Sequence, residues 1–240
     1  IAEPIMASGG CIVPPDGYFK KIYNICKKNK IIFIADEVVT GFGRLGHFFS
    51  CEEVFGVVPD IITCAKGITS GYLPLGAVLF SNKLISDLNN DSSLFFHGYT
   101  YSGHPACCAA ALKNIEILKR DKILQHVREI EPYFFKKLNA LYELPIVGDI
   151  RGKGIMAGIE CVINKKSKEA LTLDKAIGSR IDEESIKLGL IIRPLYHICV
   201  LSPALIITKE QINDLTEKLY RAISNTIDQL KNEGLWSENK

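Results

Sequence analysis

Ile31-Ile-Phe-Ile-Ala35 is an apolar run without a polar interruption, the mark of a strand covered on both faces. A strand of that kind needs layers above and below it, and the neighbouring sequence alternates accordingly. Asp16 stands ahead of Tyr18, Phe19, Ile22 and Cys26, which share one face of a helix, while Lys20, Lys21, Lys27 and Lys28 fall largely off it. Lysines near the helix's C-terminal end also suit its dipole. Asp60 to Ala65, rich in β-branched residues, reads as a second buried strand, and Gly76-Ala-Val-Leu-Phe80 as a third. Helix, strand, connection, strand, connection, strand is α/β alternation and predicts a largely parallel sheet. Gly41-Phe-Gly-Arg-Leu-Gly46 is a glycine-punctuated loop between the first two strands.

The texture changes further along. Ala106 to Lys119 is alanine-rich and helical. Asp121 to Leu144 is a second helical pattern in which Pro132 should impose a kink or a restart. Short strands are expected at Ile146-Val147, Ile155 to Ile159 and Ile191 to Arg193, set among glycines. Asp174 to Leu188 reads as a helix stopped by Gly189. Thr208-Lys-Glu-Gln211 fits a capping box ahead of an amphipathic helix carrying Ile212, Leu215, Leu219, Ile223 and Ile227. The expected organisation is therefore a large α/β domain over residues 1–120 and a smaller α+β domain over 121–240. The opening Ile1-Ala-Glu-Pro, apolar and without a methionine, reads as the later part of a longer protein.

Composition narrows the partners. With 29 basic against 27 acidic residues the net charge is +2, which gives no reason to expect nucleic acid or an anionic membrane. No apolar run approaches the ~18 residues of a spanning helix. The eight cysteines lack any Cys-x-x-Cys pair and several sit in apolar runs. Buried free thiols in a reducing compartment account for them better than a disulfide or zinc site, and point to the cytoplasm.

Two residues carry the chemistry. Lys66 ends the second strand and Gly67 follows at once. Partial desolvation at such a tip lowers a lysine's pKa and frees its amine to attack a carbonyl, and Gly67 leaves room for a ligand. A surface lysine opening a loop fits the same stretch. Asp36 and Glu37 close the first strand, and adjacent strand residues face opposite ways, so only one faces a given pocket. Asp36 as the start of a turn is the plain alternative. In a parallel sheet Asp36 and Lys66 open toward the same edge, where α/β sheets bind ligands. A carboxylate and a strand-end lysine facing one cleft suit an aromatic ring with a basic nitrogen and an aldehyde. Pyridoxal phosphate is that molecule. His97-Gly-Tyr-Thr-Tyr-Ser-Gly-His-Pro105 offers hydroxyls and N–H groups for a phosphate, or is an ordinary capped loop. Arg193 is placed either to grip a carboxylate or to make a structural ion pair.

The chain resembles the class III pyridoxal-phosphate aminotransferases, in particular the ω-amino acid (amine)–pyruvate group. The motifs are Ala2-Glu-Pro-Ile5, Ile34-Ala-Asp-Glu-Val38, Thr40-Gly-Phe-Gly-Arg44, Pro59-Asp60 and Ala65-Lys-Gly-Ile-Thr-Ser-Gly-Tyr72. They continue with Gly98-Tyr-Thr-Tyr-Ser-Gly-His-Pro105, Val147-Gly-Asp-Ile-Arg-Gly152 and Arg193-Pro194, in order along the whole chain. The resemblance implies the fold type I large-domain sheet and a small domain, and a homodimer with active sites at the interface. It implies Lys66 as the Schiff-base lysine, Asp36 as partner of the pyridine nitrogen and Val38 packed on the ring. It further implies that Thr100 reaches the phosphate of the neighbouring subunit and that Arg193 binds the substrate carboxylate. An amine donor and a keto acid, with pyruvate favoured, are the implied substrates. The family's amino-terminal part, which supplies a phosphate cup and a ring-stacking aromatic, has no counterpart in these residues. Ser8 stands where relatives acting on ornithine or 4-aminobutyrate are acidic, which favours pyruvate-type chemistry. Tyr196-His197 stands where many pyruvate-type members have Gly-Asp, and bears on substrate choice. The alternatives are another class III enzyme, a diaminopelargonate-type aminotransferase or an aminomutase, or an inactive fragment.

Overall fold

The computed structural model describes residues 1–90, 95–167, 169–170 and 176–237. They divide into two compact units, Ile1–Ile5 with Pro14–Val127, and Met6–Val13 with Arg128–Lys240.

In the first unit the sheet is built on β1 (Ile34–Asp36), β2 (Ile61–Cys64) and β3 (Ala77–Phe80), in that order. β1 and β2 run parallel with Asp36 opposite Thr63. β3 runs antiparallel to β2, with Cys64 opposite Ala77. Ala2 adds a parallel bridge to Ala35 on the outer side of β1, its N–H donating to Ile34 O at 3.0 Å. Helix α1 (Tyr18–Lys28) packs Phe19 against Phe33, edge-on at 5.4 Å, and Ala35, Cys51 and Val57 complete that cluster. Ile22, Tyr23, Cys26 and Ile62 lean on it, so the buried helical face is 19, 22, 23 and 26, whereas Tyr18 is exposed. Each large apolar side chain so covered contributes about 1.5–3 kcal/mol.

Two expectations are corrected here. Strand β1 is three residues long, not five, and Ile31 and Ile32 are half-exposed at 54% and 50%. The N–H of Ile31 is taken by Cys26 O at 2.8 Å, which uses these residues to close α1 before the strand begins. The third strand reverses direction because a short connection, beginning with the 3-10 turn Lys66–Thr69, returns the chain alongside β2. The unit is completed by α2 (Ser50–Glu53), α3 (Asn82–Asn90) and α4 (Pro105–Arg120). Helix α5 (Ile123–Leu138) contains both the division between the units and Pro132, and it runs through the proline without restarting. It is followed by a 3-10 turn, Asn139–Glu143.

The second unit carries an antiparallel sheet in the order β4 (Val147–Lys153), β5 (Met156–Asn164), β8 (Ile198–Leu201) and β7 (Arg193–Leu195), with β6 (Glu169–Ala170) pairing β5. Helices α6 (Ile177–Lys187) and α7 (Lys209–Asn232) join it. The start of α6 expected at Asp174 lies outside the described residues. Gly189, with φ 76°, follows the end of α6 in the left-handed region. The capping box is present: Thr208 Oγ1 accepts from Gln211 N at 3.3 Å and Gln211 Oε1 from Thr208 N at 3.0 Å. Helix α7 buries Ile212, Leu219, Ile223 and Ile227 as the spacing predicts, and adds Thr216, Ala222, Thr226 and Leu230. The Met6–Val13 segment closes on itself through reciprocal Met6–Ile12 backbone bonds and lies on β5, where Gly158 approaches Gly10.

Candidate active site

The site is built where β1 and β2 end together. Because the two strands are parallel and Asp36 faces Thr63 in register, both side chains lie on one face of the sheet. Lys66 follows three residues later, after at most roughly 10 Å of chain. The adjacent Glu37 points the other way and is fully buried. Its Oε2 accepts from Thr40 Oγ1 at 2.5 Å and its Oε1 from the Cys51 N–H at 2.6 Å. Burial, and then the neighbouring Glu37, push the Cys51 thiol up and keep it uncharged. Glu37 is thus committed to structure, and Asp36 is the acid that faces outward.

Asp36 is half-buried and held by a short local turn: Oδ1 accepts the Val38 N–H at 3.0 Å. Oδ2 has no hydrogen-bond partner among the described residues. Thr63 Oγ1, on the same sheet face, is buried and unpartnered among the described residues. An orphaned buried hydroxyl costs about 1–3 kcal/mol. Val38 is half-buried beside Asp36. Behind the sheet end, the Cys64 thiol is pushed up to about 11 by burial.

Lys66 opens the 3-10 turn with φ 44°, in the left-handed region, at a cost of roughly 1–2 kcal/mol. Its side chain is exposed in this chain, so the expected desolvation of the amine is not supplied by the described residues. The reason expected for Gly67 also changes. A Cβ there would stand 3.0 Å from Phe42 Cβ and 3.1 Å from Gly41 O, so the missing side chain makes room for the Gly41–Phe42 loop rather than for a ligand. Gly41 is required for a related reason, since its own Cβ would meet Glu37 O at 2.8 Å. The loop after β1 and the turn after β2 are thereby wedged together, which sets the base from which Lys66 projects.

Thr100 is exposed in the turn ahead of α4, where Ser102 Oγ accepts the Tyr99 N–H at 2.9 Å. Among the described residues no hydrogen bond links Thr100 to Asp36 or Lys66. Arg193 belongs to the second unit, where it is the exposed first residue of β7, opposite Val200, without an ion pair among the described residues. In that unit Tyr196 has φ 54° and an exposed ring, and its carbonyl is held by Gly178 N at 2.8 Å. His197 Nε2 lies 3.3 Å from Glu160 Oε1, and Glu160 Oε2 in turn pairs with Arg151. Ser8 is exposed in the same unit.

The Aminotransferase class-III family matches residues 1–223, nearly the whole chain. The chain belongs to the class-III aminotransferases. It is 44% identical over 227 residues to a putrescine–pyruvate aminotransferase of Pseudomonas aeruginosa, covering 94% of this chain and 49% of that protein. The crystal structure of a thermostable (S)-enantioselective omega-transaminase from Thermomicrobium roseum superimposes with a TM-score of 0.90 at 40% identity, covering 95% of this chain and 51% of that one. An amine transaminase from an uncultivated Pseudomonas species, solved in its PLP-bound form, gives a TM-score of 0.90 at 37% identity over 94% of this chain and 51% of that chain. The fold is that of the fold type I transferases. The chain spans about half the length of the relatives it matches.

Three features escape a reading of the sequence. Thr63 is one residue within a buried strand, and nothing in its neighbours marks its hydroxyl as unspent. Glu37 reads as a twin of Asp36 until burial separates them. Asn114 holds the Lys66 turn from α4; its only sequence signal is a poor helix former inside an alanine-rich helix.

Proposed function

We propose that this chain is the lysine- and aspartate-bearing part of a pyridoxal-phosphate aminotransferase that moves an amino group from an amine or ω-amino acid to a keto acid, with pyruvate as acceptor. One observation carries the reading: Asp36 ends β1, and Lys66 follows two residues after the end of its parallel neighbour β2, at the same edge of the sheet. The donor set suits the cofactor. One Asp36 oxygen is anchored by Val38 N and the other is free of partners among the described residues, as a carboxylate awaiting a protonated ring nitrogen requires. An exposed primary amine stands beyond it for the aldehyde carbon. Pyridoxal phosphate, when bound, supplies an electron sink for the pair released as the C–H bond at the amine carbon breaks.

The chain's own groups do the rest. Lys66 Nζ would hold the cofactor through its aldehyde carbon and would be set free when an amine donor takes its place. The freed Nζ would serve as base and then acid, taking a proton from the donor carbon and giving it back. Asp36 would keep the ring nitrogen protonated and Val38 would pack against the ring. Thr100 would reach toward the phosphate of a second subunit in a homodimer, and Arg193 would hold a substrate carboxylate bidentately. In this reading the first unit is the later part of the cofactor-binding large domain and the second is the small domain. The pyruvate acceptor is supported by the name of the Pseudomonas aeruginosa relative and by Ser8 in place of an acid. A reducing cytoplasm is supported by the eight cysteines, none of which forms a disulfide among the described residues. Among the described residues no helix is long and apolar enough to cross a membrane.

The test is a pyridoxal phosphate titration of the chain, followed by borohydride reduction and peptide mapping. The expected result is a visible absorbance band and a reduced adduct on Lys66, both absent in Lys66→Ala. A Lys66→Ala chain that keeps the band, with the adduct elsewhere, overturns the assignment. A second reading is favoured by the exposure of Lys66: the chain by itself is inert, and no spectral change on titration supports that outcome. A donor–acceptor screen with pyruvate, 2-oxoglutarate and S-adenosylmethionine separates the pyruvate-type enzyme from its class III alternatives.

A further inference from the structure

Among the described residues, one side chain of α4 hydrogen-bonds the turn that carries Lys66. Asn114 Nδ2 donates to Gly67 O at 2.9 Å and to Ile68 O at 3.0 Å, and Asn114 Oδ1 accepts from Ser70 Oγ at 2.6 Å. One amide therefore uses both its donor and acceptor ends on the Lys66–Ser70 segment. That segment needs holding. Lys66 has φ 44° and Ser70 φ 51°, so left-handed residues flank a single 3-10 turn. Its own ladder is slack: Ser70 N reaches Gly67 O at 3.2 Å and Gly71 N reaches Lys66 O at 3.3 Å. The opposite side of the turn is blocked, because Gly67 already abuts Phe42 and Gly41 O. Asn114 closes the remaining side. Asparagine is also a poor choice for a half-buried position inside a helix, where leucine or glutamine has the better propensity. The three hydrogen bonds offset that cost.

We propose that Asn114 is a positioning residue for Lys66. It holds the strained turn in the one arrangement that points the amine off the end of β2. The inference rests on the reading of Lys66 as the cofactor lysine. A neutral amide suits the position because two carbonyls need donors while a hydroxyl needs an acceptor. An aspartate would keep only the acceptor and set an anion against both carbonyls, and a leucine would keep neither.

The test compares the 240-residue chain with Asn114→Leu, Asn114→Asp and Asn114→Gln. Pyridoxal phosphate followed by borohydride is the probe, with the exposed Lys20 as an internal reference in the peptide map. Amide hydrogen exchange of the cofactor-free chain is the second readout. In the wild-type chain Lys66 is expected to react ahead of Lys20. Asn114→Leu and Asn114→Asp are expected to lower the Lys66:Lys20 ratio about fivefold or more. They should also speed exchange at Ser70 and Gly71 by about tenfold, while Leu118 on α4 stays protected. Asn114→Gln, one methylene longer but chemically equivalent, should recover most of both. If Lys66 leads Lys20 in the wild type and Asn114→Leu leaves ratio and exchange unchanged, Asn114 does not position the lysine. If Lys66 does not lead Lys20 in the wild type, the chain by itself is inert toward the cofactor and hydrogen exchange alone decides: unchanged exchange at Ser70 and Gly71 in Asn114→Leu overturns the positioning role.

Discussion

Asp60 shows how one side chain can join three segments of the first unit. Its Oδ1 accepts from Lys27 Nζ at 2.6 Å, and its Oδ2 from the Phe33 N–H at 2.9 Å. Burial raises the carboxyl's pKa, but the Lys27 hydrogen bond and the Phe33 N–H outweigh it, so the group titrates below its ordinary 3.8. Lys27 correspondingly titrates above 10.5, chiefly through Asp60. The Asp60 contribution is therefore complete above pH 3.8 and is lost as pH falls through the lower native value. The Lys27 side is lost only as pH rises above 10.5. Asp60→Asn should destabilise the first unit by about 1–3 kcal/mol near neutrality. Urea unfolding at neutral and strongly acidic pH should show the difference between variant and parent closing in acid. A second expectation concerns Glu37: Glu37→Ala strands the Thr40 hydroxyl and the Cys51 N–H in the interior and should cost about 3 kcal/mol, read from the same unfolding midpoints. At this scale the sequence marks Asp36, Glu37 and Lys66 as residues of interest. Their different fates follow from which face each presents, and from neighbours distant along the chain.

Helices are the elements most legible in sequence, because their signals are local. The capping box at Thr208 and the apolar face of α7 follow from spacing alone. Thr208→Ala should lower the thermal stability of the second unit by about 1 kcal/mol, without changing the helical circular dichroism of the folded chain. Between helices, α6 and α7 are clamped by Glu184, nearly buried, which accepts from Asn225 Nδ2 at 2.9 Å and Gln229 Nε2 at 2.9 Å. Nearby, Arg180 makes a two-pronged pair with Glu233, each bond 2.9 Å, in a more exposed setting. Glu184→Ala should accordingly cost about 2 kcal/mol, whereas Glu233→Ala should leave the unfolding midpoint almost unmoved. Strands are less legible. An apolar run does not say whether its neighbour runs parallel or antiparallel, and β3 proved antiparallel. Nor does it reveal that Ile31 and Ile32 finish a helix and stay half-exposed.

At the scale of the whole molecule, the Met6–Val13 segment belongs to the second unit although its flanks belong to the first. Arg151 Nε donates to Gly10 O at 2.9 Å, and Gly158 lets that backbone close on β5. A Cβ on Gly158 would meet Gly10 O at 2.7 Å and Cys11 Cβ at 3.2 Å. Gly158→Ala should therefore destabilise the second unit by about 1–3 kcal/mol, and hydrogen exchange at Met6 and Ile12 should rise with it. The sequence alone determined the α/β alternation, the capped helices and the family motifs, because each depends on residues close together in the chain. Only the tertiary structure decided which acid faces outward, why Gly67 and Gly158 lack side chains, and what steadies the Lys66 turn. Those outcomes depend on backbones from separate segments meeting within van der Waals contact, and such meetings leave no periodic trace along the chain.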